Sequence, residues 1–212
     1  DEAVAAAERA FPSWSELPPD ERAQRLNRLA DLIDQNADEL ARTETDDNGK
    51  PYLLAREAEI PRAAANFRFF AGAIQHTQSE SYDLGARGIN YTLRRPRGVA
   101  ACISPWNLPL YLLSWKVAPA ILMGNTVVAK PSRLTPLTAN LLAEIVTEAG
   151  LPAGVVNLVH GSGSVCGSAL VEHPAVGAVP FTGGTATLRR VAPAGVVRSF
   201  NNNTQVAISK PE

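Results

Sequence analysis

In four places an apolar run of this 212-residue chain ends in residues able to do chemistry: 104-SPWNLP-109, 130-KPSR-133, 161-GSGSVCG-167 and 181-FTGGTAT-187. A Trp-Asn pair, a lysine and two glycine-containing turns running into helices suit a phosphate-bearing ligand. Glycine lets the backbone come close to such a ligand, and helix N-termini offer free N–H groups to an anion. The spacing is not G-x-G-x-x-G, and glycine is common in ordinary βα turns, so the loops alone leave a dinucleotide site and plain connections both open. Asn107 reads either as an amide donor or as a turn residue before Pro109. Lys130 reads as a ligand contact or a solvated charge, and Trp106 and Phe181 as cleft or core aromatics. Nucleophiles are scarce. Cys102 lies inside the apolar run 99-VAACISP-105, where a free thiol is commonly buried and inert. Cys166 stands near a helix start, where a thiolate is favoured. These two cysteines and the scattered His76, His160 and His173 form neither a disulfide framework nor a metal-ligand pattern.

The elements that must position these residues follow from periodicity. The opening DEAVAAAERAF reads as helix, and because it starts with Asp rather than Met an N-terminal piece is expected before it. In 19–51, Leu26, Leu29, Ile33 and Leu40 recur at helical spacing until Asn48-Gly49 stops the pattern before Pro51. A second helix is expected over 53–75, with Pro61 as a kink or restart. From about residue 80 the texture changes. Segment 87-RGINYTLRRPRG-98 alternates and suggests a strand or hairpin arm. Strands at 99–105, 126–132, 155–161 and 176–183 then alternate with helices at 109–122, 136–150 and 165–173. That alternation predicts an α/β fold with a doubly wound, Rossmann-like parallel sheet packed with the N-terminal helices. Ligands of such sheets sit at the C-terminal ends of the strands, where the four stretches fall.

Bulk properties exclude several classes. With 45% hydrophobic and 19% charged residues the composition is that of a folded globular chain. A formal net charge of −1 supplies no field for nucleic acid or an anionic membrane. The most apolar region, 108–129, is interrupted by Lys116, Pro119, Gly124 and Asn125, so a buried helix and strand are expected rather than a membrane span. With no charged-then-apolar signal segment and few cysteines, a cytoplasmic setting is expected.

Read in order, SPWNLP, WKVAPAILMGNTVVAKPS, AGLPAGVVNLVHGSG and FTGGTAT resemble the aldehyde dehydrogenase superfamily, from the first helices to Gly184. The runs 106-WNLPLYLLSWK-116 and 91-YTLRRPRGVA-100 look most like the branch that oxidises 2-amino- or 2-hydroxymuconic semialdehydes. The resemblance implies NAD or NADP as cofactor and a small aldehyde as substrate. It also implies chemistry by a cysteine thiolate, an oxyanion site, hydride transfer and a water-activating glutamate. Asn107 matches the family's oxyanion asparagine. Lys130 matches the lysine on the adenosine ribose, with Ser132 and Arg133 beside it. Gly163 and Gly167 would flank the adenine; Phe181, Thr182, Gly183 and Gly184 would approach the pyrophosphate and nicotinamide; Ile103, Ser104 and Trp106 would line the cleft. The implied division is a helical part (1–86), a strand of an oligomerisation arm (87–98), a cofactor-binding core (99–195) and a remnant of the catalytic-loop motif (196–212).

Three departures qualify the match. Arg133 stands where the family usually has a glutamate that takes ribose hydroxyls, which points to greater tolerance of NADP or else to an arginine turned away. Leu188 replaces a glycine, so that its side chain either crowds a phosphate or shifts the turn. In 198-RSFNNNTQVAISKPE-212, Phe200, Asn202 and Gln205 fall in register on Phe-x-Asn-x-Gly-Gln-x-Cys, with Thr204 for the glycine and Ala207 for the nucleophile; otherwise the tail is unrelated sequence. The Glu-Leu-Gly-Gly segment with the general base has no counterpart. The expected function is therefore that of a dehydrogenase-derived chain that binds cofactor without completing catalysis. The alternative is a non-catalytic dinucleotide-binding or assembly module, forming a homo-oligomer or pairing with a full-length homologue.

Overall fold

The computed structural model describes residues 1–191, 196–199 and 205–209. The chain opens with α1 (Glu2–Glu16), α2 (Pro19–Gln35) and α3 (Ala37–Asn48). Pro19 lies in the first turn of α2, where a missing N–H is harmless, and Asp20 and Glu21 complement the helix dipole there. The periodic run over 19–51 is thus two helices rather than one. At Asn36 the backbone leaves the helical range (φ −96°, ψ 16°), and Leu32 O accepts both its N–H at 3.0 Å and its side-chain amide at 2.9 Å. Gly49, at φ 79°, closes α3 in the left-handed conformation that favours glycine.

One turn of α4 (Tyr52–Leu54) passes through a π-helical stretch, Ala55–Glu59, into α5 (Ile60–Ala73). The irregularity expected at Pro61 is a π-bulge just before it, and Pro61 itself sits in the first turn of α5. The expected arm is a hairpin: β1 (Ser81–Asp83) pairs antiparallel with β2 (Ile89–Tyr91), both fully exposed.

The main sheet contains β3 (Val99–Ile103), β4 (Thr126–Lys130), β5 (Val156–Leu158) and β6 (Val176–Thr182), interleaved with α6 (Pro109–Leu122), α7 (Leu137–Glu148) and α8 (Ser168–Glu172). After α9 (Thr185–Val191) come β7 (Val196–Ser199) and β8 (Gln205–Ser209). The order is β5-β4-β3-β6-β8-β7, with the first four strands parallel. β8 pairs antiparallel with both β6 and β7, so the tail read as a motif remnant extends the sheet. Side chains of β3 alternate between two cores, as a strand period of two demands. Ala100 and Cys102 pack with α2, α5, α6 and α7 on one face. Val99, Ala101 and Ile103 pack with Val4 and Ala7 of α1 and with α8 on the other. Helices on both faces of a sheet with β3 central make the doubly wound α/β fold read from the sequence.

Candidate active site

β4 lies on one side of β3 and β6 on the other, so the connections leaving β3 and β6 run in opposite directions and a crevice opens at their C-terminal ends. A cleft of about 760 Å³ lies there, within the roughly 300–1,000 Å³ of small-molecule sites. Its walls include Ile103, Ser104, Trp106 and Asn107 after β3; Lys130, Ser132 and Arg133 after β4; and Phe181, Thr182, Gly183 and Gly184 after β6, with Gly163 at the edge. Of the cofactor residues read from the sequence, Gly167 alone is off the wall. It is buried in a π-helical turn, Gly163–Gly167, where an added Cβ would sit 3.8 Å from Lys130 Cε.

The strand ends determine which polar groups face this space. Lys130 is buried at the last residue of β4, and its ammonium donates to Pro131 O at 2.8 Å. Burial pulls its pKa below the ordinary lysine value, with Cys166 opposing the shift. Ser104 and Thr182 carry buried hydroxyl oxygens with no hydrogen-bond partner. A buried unpaired hydroxyl is unfavourable, and a ligand in the cleft would satisfy either only if that side chain turned outward, since both oxygens are closed to solvent. The donors, the apolar Ile103 and Phe181 and the glycine floor fit a dinucleotide.

The loop 104–109 is tied down from outside the sheet. Asn48 Nδ2 donates to Trp106 O at 2.6 Å and Thr135 Oγ1 to the same oxygen at 3.1 Å. Lys50 Nζ donates to Asn107 O at 3.1 Å. None of these three stood out in the sequence. Asn48-Gly49-Lys50-Pro51 reads as a helix stop, and only the buried state of Lys50 marks it as more. Trp106 is 54% exposed, so it forms cleft wall rather than core.

The remaining candidates separate clearly. Cys102 is wholly buried in β3, and burial pushes its thiol up to about 12 against the pull of Lys116. Cys166 is half-buried in the turn before α8. Leu188 packs against the second core and is absent from the cleft wall. Ala207 is in β8 opposite Pro180, two rungs back from the Thr182–Gln205 pair at the cleft end. Phe200, Asn202 and Thr204 lie outside the described residues. Among the described residues no cluster of His, Cys, Asp and Glu could hold a metal ion.

Residues 1–203 match the aldehyde dehydrogenase family. The chain belongs to that family. It is 54% identical over 190 residues to a 2-aminomuconic semialdehyde dehydrogenase of Bos taurus, covering 89% of this chain and 39% of the relative. It is 50% identical to a 5-carboxymethyl-2-hydroxymuconate semialdehyde dehydrogenase of Escherichia coli, covering 90% and 41%. The crystal structure of PnpE in complex with nicotinamide adenine dinucleotide superposes with a TM-score of 0.88 at 47% identity, covering 91% of this chain and 39% of that one. The chain thus spans about two-fifths of the length of these proteins. The family match stops at residue 203, short of Gln205 and Ala207.

Proposed function

We propose that this chain is the cofactor-binding part of an NAD(P)-dependent aldehyde dehydrogenase acting on a muconic-type semialdehyde, and that by itself it binds dinucleotide without turning over aldehyde. The observation that carries this is the cleft at the strand-order reversal, whose wall is built from the residues that follow β3, β4 and β6, Lys130, Ser104 and Thr182 among them. When bound, the cofactor would accept hydride from the aldehyde carbon. Lys130 would hold the ribose, the glycines of 181–184 would admit the phosphates, and Ser104 and Thr182 would line the inner half. Asn107, on the same wall, would offer its amide N–H to a carbonyl oxygen gaining negative charge. Arg133 is exposed at the cleft, and its guanidinium is suited to a 2′-phosphate, which favours tolerance of NADP beside NAD.

The proposal of binding without turnover rests on residue types. Cys102 is buried beyond reach of the cleft, Cys166 is on the adenine side in the same reading, and Ala207 carries no nucleophile. A semialdehyde as substrate is supported by the names of the relatives. The exposed β1–β2 hairpin, with Tyr82, Ile89 and Tyr91 open to solvent, supports subunit pairing, since a two-stranded hairpin is marginal on its own. That surface favours the second reading, an assembly module that pairs with another copy or with a longer homologue. Two free cysteines suit a reducing, cytoplasmic setting. No helix among the described residues is long and apolar enough to cross a membrane.

Calorimetric titration with NAD⁺ and NADP⁺, run beside an aldehyde-dependent absorbance assay for reduced cofactor, tests the proposal. Binding without turnover is the expected result. Turnover would overturn the inactive reading, and absence of binding would leave only the assembly role.

A further inference from the structure

One buried group of charges has no part in the cofactor cleft. Lys50 is 8% exposed, Glu44 is fully buried and Glu59 is 7% exposed. The ammonium of Lys50 donates to Glu44 Oε1 at 3.0 Å, to Glu59 Oε2 and to the backbone oxygen of Asn107 at 3.1 Å. All three ammonium hydrogens therefore have acceptors. The acceptors come from three separate elements: α3, the π-helical stretch before α5, and the loop after β3. Gly49 makes the convergence feasible, because its left-handed conformation at the end of α3 turns the next residue back toward the protein.

Such a cluster is unfavourable as mere scaffold. It buries two carboxyl groups against one ammonium, and Glu44 Oε2 makes no hydrogen bond unless the Glu44–Glu59 pair shares a proton. Apolar side chains of similar size commonly stabilise a core as well or better. What the charges supply is a directed donor held in place by two acidic side chains, which reaches the Asn107 carbonyl at 3.1 Å. One of its three bonds goes to a backbone oxygen of the loop that carries the exposed Trp106. The preceding carbonyl, that of Trp106, is held by the neutral Asn48 and Thr135. Two consecutive carbonyls are thus anchored, the second by charge.

We propose that Lys50, clamped between Glu44 and Glu59, is a positioning residue for Asn107, fixing the backbone of a residue on the cleft wall. The catalytic meaning of this rests on reading Asn107 as an oxyanion donor; the positioning itself does not. A donor displaced by about 1 Å loses much of its effect on a reacting group, which is why the loop has to be held.

The test uses the ¹⁵N-labelled 212-residue chain and the amide resonances of Asn107, its side-chain pair being identified by its loss in Asn107→Ala. Two variants are compared: Lys50→Met, and Glu44→Gln/Lys50→Met/Glu59→Gln, which leaves no unpaired buried charge. The indole N–H of Trp14, bonded to Ile121 O in the core at 2.9 Å, reports the fold. The expected result, in whichever variant folds, is that the Asn107 and Leu108 resonances shift by more than a line width or broaden by exchange while the Trp14 signal stays in place. Asn107 signals unchanged in a folded variant would overturn the proposal. So would shifts spread through the core to Trp14, or failure of the triple variant to fold, since either assigns the cluster to stability alone. Failure of the wild-type chain to bind NAD⁺ would sink the cofactor reading without touching these outcomes.

Discussion

Ile103 and Lys130 are register partners in the final rung between β3 and β4, and just beyond them Ser104 N still reaches Lys130 O at 3.2 Å. The rung on the other side of Ile103 is Phe181 of β6. β3 and β4 therefore end level with one another, and β6 runs one residue further, to Thr182, which pairs with Gln205 of β8. That is how a lysine far from residue 103 in sequence comes to share a cleft with Trp106 and Gly183.

Lys130 spends one of its three donors on Pro131 O, which leaves two for a ligand. Lys130→Met keeps the aliphatic bulk and removes the charge. The expected effect is a loss of about tenfold in NAD⁺ affinity, the worth of one hydrogen bond from a charged group, with the thermal midpoint little changed. Calorimetry and a melting curve on the same sample check it. An unaltered dissociation constant would remove Lys130 from the site.

Arg133 sets the cofactor choice in this reading. Arg133→Glu should reduce NADP⁺ affinity by about tenfold or more relative to NAD⁺, because a carboxylate repels the 2′-phosphate that a guanidinium pairs with. Titrating both cofactors against both proteins gives the ratio directly. Equal ratios before and after the change would mean that the side chain points away.

Much of this candidate site was legible in the sequence because strand ends punctuated by Pro and Gly announce themselves: 103–107, Lys130, Ser132, Arg133 and 181–184 all line one cleft. The loop anchors were not legible. Asn48, Lys50 and Thr135 act through backbone carbonyls of residues dozens of positions away, and no local pattern encodes a partner of that kind. The division of 19–51 into two helices turns on the backbone of one residue, Asn36, whose neighbours keep helical spacing straight through the break. The antiparallel β7–β8 pair was missed because its residues were read for a motif rather than for alternation.

The two cysteines should differ sharply toward alkylating reagents. Burial pushes the Cys102 thiol up to about 12, and no solvent reaches it. Cys166 is partly open in the turn that also carries Gly163 of the cleft wall. Iodoacetamide at mildly alkaline pH should label Cys166 alone in the folded chain and both residues in denaturant, as read by peptide mass. Saturating NAD⁺ should slow the labelling if the adenine side lies where proposed. Labelling of Cys102 at a comparable rate would contradict the packing of β3.

Glu44 makes stability depend on pH in a direction opposite to that of an ordinary paired carboxylate. Burial raises its pKa from 4.5 to about 7, outweighing the pull of Lys50, and Glu59 adds to the rise. The folded chain therefore binds more protons than the unfolded chain between these values, and stability falls as pH climbs through that window. The contribution is fully present below about 4.5, the unfolded value, and is lost as pH rises through about 7. Glu44→Gln mimics the protonated form at every pH. The difference in melting temperature between wild type and Glu44→Gln should thus be small near pH 5 and grow in the variant's favour toward pH 8, while contributions from groups outside the cluster cancel. A difference that stays flat across this range would show that Lys50 holds Glu44 ionised throughout, and that the proton in this cluster is not exchanged near neutrality.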